Sequence, residues 1–136
     1  MWSLRRRVRD RASGLVGTVR GRLLIEHVGA DELTWAESGL FSWTLPGAGS
    51  SAGRQAPVTR TLRLARDDGQ WWMRFADGSP FHPWRPGERV EHPCRADLYT
   101  GRIDIAPDGE SMRTLWDVAG PAKDQRLITV LTRIPA

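Results

Sequence analysis

Glu37 stands where a charge is least expected. From Leu33 to Leu45 the chain alternates, with Leu33, Trp35, Glu37, Gly39, Phe41, Trp43 and Leu45 on one face. Successive side chains of a strand point to opposite faces, so this is a long strand with one aromatic face. A carboxylate on the inner face of a curved sheet needs a cation beside it, or it protonates or weakens the fold. Arg60, on the inner set Val58, Arg60, Leu62 and Leu64 of the next strand, is the expected partner. The same period carried through the other strands adds Arg6, His92, Asp97, Tyr99 and Arg133 to an otherwise apolar interior. Sparse polar groups in an apolar space make a small-molecule site. Glu37, Arg60, His82, His92 and Tyr99 are therefore the candidate ligand-binding residues. Glu37, His82, His92 or Tyr99 could move a proton, and Arg6, Arg60 or Arg133 could meet an anion. Two histidines of ordinary pKa would make affinity vary between about pH 5 and 8.

A second group is His82, His92, Cys94 and Asp97. His92 and Cys94 share one side of a strand, which suits zinc. Structural zinc sites use two separated ligand pairs, however, and only one close pair occurs here. The same residues could form a Cys–His nucleophile, but an ordinary core cysteine and hydrogen-bonded histidines are the favoured reading. His82 or His92 could ligate haem, but no haem motif is present. Neither a metal nor a cofactor is expected. Lys123, the one lysine of the chain, shapes the turn Gly120-Pro121-Ala122-Lys123-Asp124 or serves as a Schiff-base amine or a phosphate-binding group.

The elements that hold these residues follow from the turns. Asp67-Asp68-Gly69, Asp77-Gly78-Ser79-Pro80, Arg85-Pro86-Gly87 and Pro107-Asp108-Gly109 come at short intervals, and Asp-Gly pairs between extended runs mark hairpins. Strands are predicted near 2–10, 17–28, 32–45, 57–67, 70–76, 80–84, 88–94, 97–105, 111–119 and 125–134. Gly47–Gly53 reads as a flexible hairpin tip. The expected fold is all-β: one antiparallel up-and-down barrel of eight to ten strands spanning residues 1–136, with an open sandwich as the alternative. Trp35, Phe41, Trp43, Trp71, Phe75 and Trp116 should face inward.

A chain of 136 residues buries about two-thirds of its unfolded surface, enough for a core without staples. Seven tryptophans suit an interior filled by large rings. A lone cysteine excludes an internal disulfide and fits a reducing compartment. Nineteen arginines against one lysine fit a GC-rich genome. The charge is uneven: residues 1–22 carry a net +6 and the rest a net −2. The outward Arg5, Arg7, Arg9 and Arg11 thus read as a solvated strand face, and nucleic acid is not the expected partner. No apolar run is long enough for an export signal or a membrane span, so a cytoplasmic protein without a membrane partner is expected.

Three strings occur in order: Phe75-Ala76-Asp77-Gly78-Ser79-Pro80-Phe81-His82, then His92-Pro93-Cys94-Arg95-Ala96-Asp97-Leu98-Tyr99, then Gly120-Pro121-Ala122-Lys123-Asp124. With Trp35-x-Glu37-x-Gly39 and Arg60, the chain resembles an uncharacterised family, domain of unknown function 6314, from about Trp2 to Arg133. Ser79 and Ala122 stand where that pattern commonly carries arginine. The resemblance implies a lipocalin-like (calycin) barrel and no established activity. The leading expectation is a barrel that binds a small, partly apolar molecule inside, with an anionic group as one option. The alternatives are an isomerase, lyase or hydrolase on the same barrel, and an interaction module with a basic first strand.

Overall fold

Ten antiparallel strands form one continuous sheet in the computed structural model, which describes residues 1–47 and 53–135. They are β1 (Trp2–Asp10), β2 (Val16–Gly29), β3 (Glu32–Thr44), β4 (Arg54–Asp67), β5 (Gln70–Phe75), β6 (Pro80–Pro83), β7 (Arg89–Cys94), β8 (Asp97–Ile105), β9 (Ser111–Gly120) and β10 (Lys123–Arg133). The order is β6-β5-β4-β3-β2-β1-β10-β9-β8-β7, so the last strand returns to pair with the first. This is the expected up-and-down barrel, nearly closed. No helix occurs among the described residues. β4 begins at Arg54, three residues earlier than the alternation suggests, because Arg54, Gln55 and Ala56 pair with Trp43, Ser42 and Phe41. Most of the expected tip Gly47–Gly53 lies outside the described residues.

The inner face follows period 2. Leu23, Trp35, Leu62 and Met73 are buried on the successive strands β2 to β5, and Leu131 is buried on β10. Phe41, Trp71, Phe75 and Trp116 are half-buried against that core, and Trp43 stacks on Phe41 at the barrel end with centroids 5.0 Å apart. Two inner positions are corrected. Arg133 is exposed at the end of β10, where its guanidinium lies over the Trp2 ring, 4.8 Å from the centroid. Cys94 is exposed because it closes the β7–β8 turn beyond the core.

Local chemistry fixes the bends. Asp68 and Gly69 both have positive φ, 50° and 78°, which is the two-residue hairpin an Asp-Gly pair favours. Gly21 and Gly39 face each other in register on β2 and β3. A Cβ on Gly21 would lie 2.0 Å from the Ser38 carbonyl oxygen, so the strands coil tightly here and only glycine fits.

Closure is incomplete in two places. β6 and β7, the ends of the strand order, do not pair with each other. Pro80, Pro83 and Pro93 sit on these edge strands, where missing N–H donors cost the ladder least. In addition, β5 pairs with β4 only from Leu62 to Asp67, leaving Arg54–Thr61 paired to β3 alone. One end of the wall is therefore open beside Arg60.

Candidate functional site

Glu37 lies at the middle of β3, directly across from Arg60 on β4 and Leu23 on β2. It is 7% exposed. Its Oε1 accepts from Arg60 Nη2 at 2.9 Å and from the Trp35 indole N–H at 3.0 Å. Arg6 reaches in from β1, and its Nη2 lies 3.0 Å from Oε2 and 3.1 Å from Oε1. Arg6 Nε also donates to Thr129 Oγ1 at 2.7 Å. The expected Glu37–Arg60 pair is thus a three-membered group, with two cations on one carboxylate. The cations differ: the Arg6 side chain is 13% exposed and that of Arg60 is 42%.

Burial by itself would raise the Glu37 pKa; the charges of Arg60 and Arg6 and the hydrogen bonds from Arg60 and Trp35 reverse this and hold it below the usual carboxylate range. Burial lowers the Arg6 pKa, opposed by Glu37, yet a guanidinium stays charged at any physiological pH. Small spaces flank the group. One, of about 50 Å³, lies beside Gly39 and is bounded by Leu4, Val19, Val58 and both arginines. The other, of about 20 Å³, lies between the charges and His82, Thr114, Trp116 and Thr129.

Aromatic rings close the unpaired β6–β7 junction. Phe81 stacks on Phe75 at 4.8 Å and on Trp116 at 5.0 Å, and it meets His82, His92 and Tyr99 edge-on at 4.8, 5.3 and 6.2 Å. Phe81 and His82 are both buried, although neighbours on a strand should face opposite ways. The register explains it. Met73 pairs with His82 and Arg74 with Pro80, so Phe81 is the extra residue of a bulge, and a bulge re-aims side chains. Trp116 in turn lies flat over Gly101, where a Cβ would come within 2.5 Å of the ring.

His82 is 3% exposed. Its Nδ1 is 2.9 Å from the Pro83 carbonyl oxygen, which can only accept, so Nδ1 carries the hydrogen and Nε2 is a free lone pair. Burial lowers its pKa; the Pro83 bond opposes this, and His92 and Arg60 reinforce it. Burial thus biases His82 towards the neutral imidazole, unlike the freely titrating group expected.

The structure brings Glu37, Arg60 and His82 onto one cavity. His92 and Tyr99 sit beyond the Phe81 ring, paired across β7 and β8 with centroids 6.0 Å apart. Among the described residues no group of three or more His, Cys, Asp or Glu side chains is placed to hold a metal ion. Asp97 instead pairs with Lys123 at 3.2 Å and packs on Gly120, where a Cβ would meet its carboxylate at 1.9 Å. That contact joins the second and third strings of the resemblance. The candidate set Glu37, Arg60, His82, His92 and Tyr99 omits Thr114 and Thr129, and Arg6 enters it only as an anion contact, although all three lie on the inner faces of their strands. It also missed Trp84, which meets Trp35 edge-on at 6.1 Å from beyond the end of β6.

The fold, an antiparallel up-and-down sheet that nearly closes on itself, is that of the lipocalin-like barrels. A solved structure of similar architecture is the S-type phycobiliprotein lyase CPES from Guillardia theta, with a TM-score of 0.63 and 11% identity, covering 99% of this chain and 87% of that one. At that identity the likeness is one of fold. The chain belongs to the Family of unknown function (DUF6314), which it matches over residues 1–133. No curated protein matches it.

Proposed function

We propose that this barrel binds a small, partly apolar molecule through an anionic group, with Arg60 and Arg6 as partners of the anion and Glu37 as the clamp that positions both. The charge count carries the reading: two guanidiniums share one carboxylate, leaving one positive charge at the centre. Arg60 spends only Nη2 on Glu37, and its other donors meet no acceptor among the described residues. A guanidinium presents five donors in a planar fork, suited to a carboxylate or a similar oxyanion. The small spaces beside the centre admit a group of that size, while the apolar body lies at the open end against Phe41, Trp43, His92 and Tyr99. A barrel of similar fold serves a lyase in Guillardia theta, which supports a site on this scaffold. The single cysteine supports a reducing, cytoplasmic setting.

The test is a fluorescence titration with 1-anilinonaphthalene-8-sulfonate, an aromatic anion. Arg60→Ala should weaken binding about tenfold or more, and Arg20→Ala, an exposed arginine on the outer face, should leave it unchanged. Equal affinity for the wild type and Arg60→Ala overturns the reading.

A further inference from the structure

We infer that His82, Thr114 and Thr129 form a second subsite beside the arginines, which takes a hydrogen-bond donor carried by the same ligand, so that the preferred ligand is a hydroxy acid. This rests on the anion reading above and adds a second recognition element to it.

Three observations converge. The first is the fixed state of His82: its Nδ1 hydrogen is held by the Pro83 carbonyl, leaving Nε2 able only to accept. Phe81 and Trp116 hold the ring at 4.8 and 5.1 Å, so that lone pair has a set direction. The second is satisfaction. Neither His82 Nε2 nor the buried Thr114 hydroxyl has a hydrogen-bond partner among the described residues. Yet among the described residues no buried side-chain nitrogen or oxygen is sealed off without one. Both atoms therefore open onto the cavity they line. The third is composition. Thr129 Oγ1 already accepts from Arg6 Nε, so its own hydrogen is free to donate. Thr114 faces Thr129 in register. One strong acceptor and two hydroxyls thus surround about 20 Å³, the room of one water-sized group. Arg6 and Arg60 line the same space. A ligand hydroxyl here donates to Nε2 and accepts from a threonine, while its acid group meets a guanidinium. A ligand without the hydroxyl leaves water behind, so the expected discrimination is moderate.

Mandelate and phenylacetate differ only by that hydroxyl and share an apolar ring and a carboxylate. Calorimetric titration should show mandelate binding about five- to tenfold more tightly, the value of one net hydrogen bond. His82→Phe keeps a ring between Phe81 and Trp116 and should erase the preference while leaving phenylacetate affinity within about twofold. Thr114→Val provides the same comparison if His82→Phe does not fold, with the preference reduced about threefold. Arg60→Ala should weaken both acids alike. Equal binding of the two acids to the wild type overturns the subsite and leaves the anion reading standing. A preference that survives in both His82→Phe and Thr114→Val also overturns the subsite. Failure of both acids to bind overturns the anion reading and the subsite with it. Long-range ¹H–¹⁵N spectra of the ligand-free protein should show His82 Nε2 unprotonated, and a hydrogen on Nε2 refutes the inference without any ligand.

Discussion

Replacing Glu37 by alanine should cost the protein about 3 kcal/mol. Breaking a buried ion pair typically costs about 3–5 kcal/mol because one charge is left buried and unpaired. Here the loss falls mainly on Arg6, whose side chain is 13% exposed and keeps only its Thr129 bond. Arg60, 42% exposed, is rehydrated instead, so its share is discounted towards the value of about 0–1 kcal/mol for a surface pair. The Trp35 indole N–H also loses its acceptor, and a buried donor without one costs about 1–3 kcal/mol unless water replaces it. Water filling the adjoining spaces offsets part of this, which places the estimate at the lower end of the range. For a chain of this size about 3 kcal/mol corresponds to a fall in melting temperature on the order of 10 °C. The assay is urea unfolding of Glu37→Ala against Thr59→Ala, an exposed neighbour on β4. A second arm sharpens it. Adding Arg6→Met to Glu37→Ala removes the orphaned charge, so the double variant should be more stable than Glu37→Ala alone. If Glu37→Ala unfolds with the Thr59→Ala control, or if the second substitution makes matters worse by the full value of Arg6→Met alone, the reasoning about the orphaned cation is wrong.

Other consequences can be measured directly. Because the folded-state pKa of Glu37 is lowered, its contribution is complete above pH ~4.5 and is lost as pH falls through the folded value; urea midpoints in that range should drop less in Glu37→Gln than in the wild type. His82 is also lowered, so its contribution is complete above pH ~6.5 and is lost at more acid pH, and His82→Phe should flatten the wild-type decline that begins there. Gly101→Ala must displace the Trp116 ring and should lower stability by about 1–3 kcal/mol, with a changed near-ultraviolet circular dichroism spectrum; an unchanged spectrum speaks against the flat stacking. Thr129→Val leaves Arg6 Nε without its acceptor and should cost about 1–3 kcal/mol by chemical unfolding, whereas exposed Thr132→Val should cost almost nothing.

Much of the barrel was legible because strand period and turn chemistry are local. The alternation from Leu33 to Leu45 placed Trp35 and Glu37 on one buried face. The Asp-Gly pairs located hairpins, with Asp68-Gly69 adopting the left-handed turn that pairing favours. The oddity of an inward carboxylate pointed to Arg60, since neighbouring inner faces meet across one ladder. Strand ends were less legible: period 2 marked Arg133 and Cys94 as inward, but it carries no information about where the core stops.

Where the barrel stays open, between β6 and β7, was decided only by tertiary structure. Arg6 and Glu37 lie on strands separated by β2, so their contact depends on the curvature that carries β1 across the interior, not on a shared ladder. Phe81 and His82 both face inward because a bulge on a four-residue edge strand breaks the period that sequence reasoning relies on. The lowered pKa of His82 likewise depends on its burial among the rings of Phe81 and Trp116, and its tautomer on the Pro83 carbonyl holding Nδ1. The sequence thus determined which faces were buried, because pleating is a property of each strand. Which buried groups touch was left to closure, because barrel contacts join residues far apart in the chain whose distances no local pattern encodes.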